Sequence, residues 1–152
     1  MTIDKDYKKI KQMKIFCLST FGHNGVDWMH SLLDGHKEIL IMPAFSYFRS
    51  LNRLKLRNEK FSNLRKINLN EISKEITKIF YEEKMYQTQR RKFLFNSRQK
   101  NLFQKHLSNF LLFSSKLEKN FEVSFFYSIH YAFSKIRRIN LKKKKIIIVQ
   151  EH

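Results

Sequence analysis

The apolar residues of this chain follow two patterns, short continuous runs and longer stretches with three- and four-residue spacing. Continuous runs bounded by turn residues predict buried strands, and the wider spacing predicts amphipathic helices. The runs predict strands over about 13–19 and 38–42, and a fully buried parallel strand after the lysine run 142–145. The spacing predicts helices over about 25–34, 45–54, 68–80, 97–113 and 121–136. Residues 1–12 form a polar lead-in, either helical or frayed.

The first strand and the helix after it are separated by a short turn that holds two of the three glycines, Gly22 and Gly25. Strand, glycine-containing turn and helix start, in this order, can form a cradle for an anion. Glycines let the backbone approach a phosphate, while free N–H groups and the helix dipole favour negative charge. An ordinary strand-to-helix turn fits the same pattern. Asp34 and Gly35 predict the end of the helix.

Residues 20–28, Thr-Phe-Gly-His-Asn-Gly-Val-Asp-Trp, resemble the 5′-phosphosulfate-binding loop of sulfotransferases, whose pattern is roughly Thr-Tyr-Pro-Lys-Ser-Gly-Thr-Thr-Trp. Residues 31–39 are similar to the Leu-Leu-x-x-His-Pro-x-Ile continuation of that family. The resemblance covers about residues 14–48. The matching positions are Thr20, Gly25, Trp28, Leu32, Leu33, His36 and Ile39.

The resemblance implies an α/β fold that is P-loop NTPase-like, a three-layer αβα arrangement with a short, incomplete parallel sheet and a helix-rich middle. Residues 13–152 would be the N-terminal part of a single sulfotransferase-like domain, truncated at its C-terminus. The implied reaction transfers a sulfuryl group from 3′-phosphoadenosine-5′-phosphosulfate (PAPS) to a hydroxyl or amine. The acceptor, a small molecule or a glycan, is not specified by the sequence, and no metal is implied.

By the same resemblance, backbone N–H groups of residues 22–26 would hold the 5′-phosphosulfate, and Trp28 would lie against the adenine. The implied donor-binding residues are Thr20, Gly22, His23, Asn24, Gly25, Val26, Asp27 and Trp28. His23 stands where the family has Lys or Arg and is the candidate catalytic residue, with a charge that depends on pH. Asp27 stands where the family often has Thr. Glu151 falls at the position of the family's Arg that binds the donor's 3′-phosphate.

The net charge of +18 fits a nucleic-acid or anionic-membrane partner, because cations neutralise phosphates. The compositional bias of an AT-rich coding sequence is the preferred explanation of this charge, and a basic surface also suits an enzyme with a polyanionic nucleotide donor. A basic, non-catalytic nucleic-acid- or anion-binding module is therefore an alternative, as is an inactive sulfotransferase remnant. A P-loop nucleotide kinase is disfavoured because no Lys follows Gly25.

Three further residues have a structural interpretation. Cys17, the single cysteine, lies in the first predicted strand and is expected to be a core residue rather than a nucleophile. His130 lies on or beside the apolar side of its helix and is expected to be a core histidine, and His36 is expected to hydrogen-bond the turn after the helix. The cluster 90–92 is expected to be solvated surface. No apolar stretch reaches the ~18–20 residues of a transmembrane helix, which favours a cytoplasmic protein.

Overall fold

The computed structural model describes residues 2–19, 29, 32–42, 52, 69–82 and 97–151. This part of the chain has an α/β fold with three strands and four helices. The strands are β1 (Lys14–Ser19), β2 (Ile39–Ile41) and β3 (Ile146–Glu151). The helices are α1 (Ile3–Lys11), α2 (Leu69–Glu82), α3 (Ser97–Ser114) and α4 (Phe121–Ile136), and a short 3-10 turn (Leu141–Lys143) precedes β3. Apart from Asn52, the predicted helix over 45–54 lies outside the described residues.

The three strands form a parallel sheet in the order β1-β3-β2. Its central strand is β3, in which Ile147, Ile148 and Val149 are buried, so the prediction of a buried parallel strand after the lysine run is confirmed. Ser19 pairs with Glu151 at the end of the β1–β3 ladder, and the carboxyl ends of these two strands therefore lie side by side.

Strand β1 differs from the expectation of a buried strand. Ile15 and Phe16 are 49% and 51% exposed, and Cys17 is exposed as well. The cause is the position of β1 at one edge of the described sheet, where, among the described elements, only β3 makes extensive contact with it. The prediction of Cys17 as a core residue is therefore wrong.

Helices α3 and α4 pack against each other and form most of the apolar core. Fully buried side chains on the two helices are Phe103, Leu107, Phe110, Leu111, Phe125, Ile129 and Ala132. Residues that the sequence left open between helix and frayed chain form α1, and its Tyr7 and Ile10 lie in the same core. Helix α1 is held to α4 by the buried carboxylate of Asp6, whose Oδ2 accepts a hydrogen bond from Lys135 Nζ at 2.7 Å.

His130 is buried within α4, as its spacing predicted. Its Nδ1 donates a hydrogen bond to the carbonyl oxygen of Phe126, one turn earlier, at 2.7 Å. Burial lowers the pKa of His130 to about 4, because the apolar surroundings disfavour the charged imidazolium. The interpretation of His130 as a neutral core histidine is confirmed.

This burial predicts that the protein loses stability in mild acid. Between pH 6.5 and about 4 the unfolded chain protonates His130 while the folded chain does not, so the free energy of unfolding falls as the pH falls. From pH 7 to pH 4.5 we expect His130 to account for a loss of roughly 2–3 kcal/mol.

Urea denaturation of the wild type and of His130→Gln at both pH values measures this contribution, because glutamine keeps an N–H donor and does not titrate. Between the two pH values, the free energy of unfolding should fall by roughly 2–3 kcal/mol less in His130→Gln than in the wild type. His106, whose pKa burial also lowers, acts with the same sign in both proteins and cancels in the comparison. The exposed His36→Gln is the matched control, and an equal loss in all three proteins would contradict the prediction.

Candidate functional site

The predicted donor loop follows directly on β1. Its residues Thr20, Gly22, His23, Asn24, Gly25, Val26, Asp27 and Trp28 lie outside the described residues, as does the cluster 90–92. Along the chain, Thr20 follows Ser19, the last residue of β1. In open parallel sheets, ligands bind outside the carboxyl ends of the strands. The loop thus begins at the edge of the sheet where an anion site is expected.

The residues after the loop have the structure that their sequence predicts. Met29, Leu32 and Leu33 are helical, and Gly35 has a φ of +79°, the left-handed conformation that commonly ends a helix. Strand β1 therefore ends directly before residues 20–28, and helical residues follow them along the chain. This order is the one that an anion cradle requires.

His36 has the local role that was expected of it. Its backbone N–H donates to the carbonyl of Leu33 at 3.2 Å, and its Nδ1 accepts from the backbone N–H of Glu38 at 3.2 Å. The side chain itself is exposed. His36 therefore shapes the turn between the helix and β2, which confirms the hydrogen-bonding interpretation.

Lys144 is the polar residue that sequence reasoning missed. It lies within the lysine run 142–145, a pattern typical of solvated surface, but it is only 8% exposed. Its Nζ donates to the carbonyl oxygens of His36 at 2.6 Å and Ile39 at 2.7 Å. Burial lowers the pKa of the Lys144 ammonium group, and the nearby carboxylate of Asp34 opposes that shift. Lys144 thus ties the segment before β3 to both ends of the turn that leads into β2.

Lys145 makes a second connection at the same place. Its Nζ lies 2.6 Å from Glu38 Oε1, and its backbone N–H donates to the Glu38 carbonyl at 2.7 Å. The side-chain hydrogen bond from the Lys145 ammonium group, together with its positive charge, lowers the pKa of the Glu38 carboxyl group. The amino edge of the sheet, where β2 and β3 begin, is therefore fixed by two neighbouring lysines.

The described part of the chain holds no group of three or more His, Cys, Asp or Glu side chains that could bind a metal ion. None of the helices described there is both long enough and apolar enough to cross a membrane.

Comparison of the chain with models of known protein families, with curated proteins and with solved structures finds no match. The resemblance to sulfotransferases therefore depends on residues 20–28 and 31–39 and on the strands and helix that flank them.

The contacts of Lys144 predict a specific loss of stability. Lys144→Met keeps an unbranched, apolar stem but removes the hydrogen bonds that Lys144 Nζ donates to the carbonyl oxygens of His36 and Ile39. We expect the free energy of unfolding in urea at pH 7 to fall by about 2 kcal/mol. Lys142→Met, at an exposed position in the same run, should change it by less than about 0.5 kcal/mol. Equal free energies of unfolding in the two variants would show that the buried hydrogen bonds of Lys144 contribute nothing measurable to stability.

Proposed function

We propose that this chain is the nucleotide-binding part of a sulfotransferase-like protein, with a P-loop NTPase-like, three-layer αβα architecture. It would transfer a sulfuryl group from PAPS to a hydroxyl or amine acceptor. The observation that carries the proposal is the pair of sequence matches, 20–28 and 31–39, which fall directly after β1 and directly before and into β2 of a parallel sheet. The parallel sheet and the helix that ends before Gly35 support the same conclusion.

The chemistry of the proposal follows from the loop. Backbone N–H groups of residues 22–26 would hold the 5′-phosphosulfate, with the helix dipole favouring its negative charge. The acceptor oxygen or nitrogen attacks the sulfur in line, the bond from sulfur to the phosphate oxygen breaks, and 3′-phosphoadenosine-5′-phosphate leaves. A protonated His23 would donate to the sulfuryl oxygens, where negative charge must be stabilised in the transition state. The proton of the acceptor passes to a base that the proposal does not assign.

Three positions favour binding without transfer as the second candidate function. His23 offers a weaker and pH-dependent charge in place of the family's Lys or Arg. Asp27 and Glu151 are carboxylates where the family has Thr and the 3′-phosphate-binding Arg. A chain with these residues would still bind an adenosine nucleotide through backbone N–H groups, and sulfuryl transfer would then be slow or absent.

The cradle is tested by Gly25→Asp. This change puts a side chain and a negative charge where the backbone would approach the donor phosphate, so affinity for 3′-phosphoadenosine-5′-phosphate should fall at least roughly tenfold. Isothermal titration calorimetry measures the affinity, and circular dichroism checks that the variant is folded.

The control for this test is Asn120→Asp. It adds the same negative charge at an exposed position directly before α4, where aspartate suits a helix start as well as asparagine does. Donor affinity that is unchanged in Gly25→Asp would overturn the cradle. An equal loss of affinity in both variants would show an effect of net charge alone and would overturn it too.

The role of His23 is tested by restoring the cation of the family. In the wild type, His23 loses its charge as the pH rises past ~6.5, so its contribution to binding should disappear between pH 6 and pH 8. His23→Lys keeps its charge over this range. The affinity of His23→Lys relative to the wild type should therefore rise several-fold from pH 6 to pH 8, and titration of the nucleotide itself cancels in the ratio. A ratio that stays constant with pH would remove His23 from the site.

A further inference from the structure

A cavity of about 340 Å³ opens at the amino edge of the sheet, between the end of α4 and the turn that leads into β2. Its floor is apolar and is formed by Ile39, Ile41, Phe133 and Ile139. Its charged lining consists of Lys37, Arg137, Arg138, Lys143, Lys144 and one carboxylate, Asp34. Lys144 is already engaged with two backbone carbonyls, so four exposed cations remain around an apolar floor.

These four cations, Lys37, Arg137, Arg138 and Lys143, converge from three separate segments of the chain. None of the ion pairs formed among the described residues includes any of them. The helix dipole accounts for basic residues at the end of α4, because a helix C-terminus attracts cations. It does not account for Lys37 and Lys143, which lie outside that helix and line the same cavity. Positive charges that line one cavity repel one another, and a bound anion would relieve that repulsion.

Arg138 adds a second observation. Its backbone φ is +53°. The N–H of Arg138 donates to the carbonyl of Lys135 at 3.1 Å, and the N–H of Ile139 donates to the carbonyl of Ser134 at 2.8 Å; these two bonds end α4. Glycine is the usual residue at this left-handed position after a helix. An arginine here is unfavourable for the backbone, and its side chain contributes to the lining of the cavity. Backbone strain of this kind is commonly found where a side chain serves a ligand.

We propose that this cavity binds a phosphate or sulfate ester group, with the rest of the ligand lying on the apolar floor. Guanidinium groups suit such esters because their planar N–H donors match two oxygens at once. None of the residues that line the cavity belongs to the predicted donor loop 20–28. Strand β1, which has six residues and ends directly before that loop, has its two ends roughly 20 Å apart. The ester group can belong to a free small molecule or to a polyanionic chain, and both present the same group to the cavity.

The experiment is a titration of the full chain with inorganic pyrophosphate, followed by the shifts of backbone amide signals in two-dimensional NMR. Saturable shifts are expected at residues 36–38 and 137–143. Arg138→Gly removes one cation of the cavity and gives the backbone the residue it favours, so this variant should fold and bind roughly tenfold more weakly.

The control is the double variant Lys116→Gln/Lys119→Gln. It removes two exposed charges beyond the other end of α4, about 24 Å away along a 16-residue helix, and should leave the affinity unchanged. Equal weakening in Arg138→Gly and in the control would show attraction to net charge alone and would overturn the proposal. Shifts confined to residues 20–28 would overturn it too, without affecting the donor loop.

Long-chain polyphosphate distinguishes the two sources of the ester. Saturable binding of pyrophosphate that is weaker in Arg138→Gly supports the phosphate group of a free small molecule as sufficient ligand. Binding of polyphosphate alone, again weakened in Arg138→Gly and not in the control, supports the cavity as a site for a polyanionic chain. If Arg138→Gly weakens the binding of neither pyrophosphate nor polyphosphate, the cavity is not an ester site.

Discussion

The amino edge of this fold is organised by one buried ammonium group. A charge in a low-dielectric surrounding is costly unless it is hydrogen-bonded, and Lys144 Nζ donates two of its three N–H groups to the carbonyls of His36 and Ile39. These two carbonyls stand at the two ends of the turn that brings the chain into β2. The backbone N–H groups of Lys145 and Ile146 then converge on the carbonyl of Glu38, so β3 begins in fixed register beside β2. The pairing of Ile39 with Ile146 continues from this point.

Strand β3 connects two edges of very different chemistry. At its amino end lie the lysine contacts and the basic cavity, whereas its carboxyl end lies beside the end of β1, where the predicted donor loop starts. The two proposed sites thus relate to opposite ends of β3 and have no residue in common. A parallel sheet allows this division because all its strands end at the same edge, and the segments that follow them gather there.

Much of the fold is predictable because the signal for it is local. The spacing of apolar residues gives α3 and α4 almost to the residue, and Gly35 gives a helix end. Burial is less predictable, since the same apolar run describes a central strand such as β3 and an edge strand such as β1, which leaves Cys17 exposed. Lys144 is one of four identical neighbours, and its partners come from more than 100 residues earlier in the chain. The basic cavity is likewise lined by residues far apart in sequence, from 34–41 and from 133–144. The donor loop lies outside the described residues and stays a prediction.

The distance between the two edges of the sheet bears on the proposed donor site. The Debye length at physiological salt is about 8 Å, and the two ends of β1 are roughly 20 Å apart, so cations at the amino edge are largely screened from the carboxyl end of β1. The net charge of +18 can speed the approach of an anionic nucleotide, but it cannot replace a cation in contact with a sulfuryl group. Residues 20–28 include Asp27 and no lysine or arginine, so in the proposed reaction the stabilisation of that group would come from backbone N–H groups and His23. The protonation of His23 would then be the change that most readily alters the affinity for the donor.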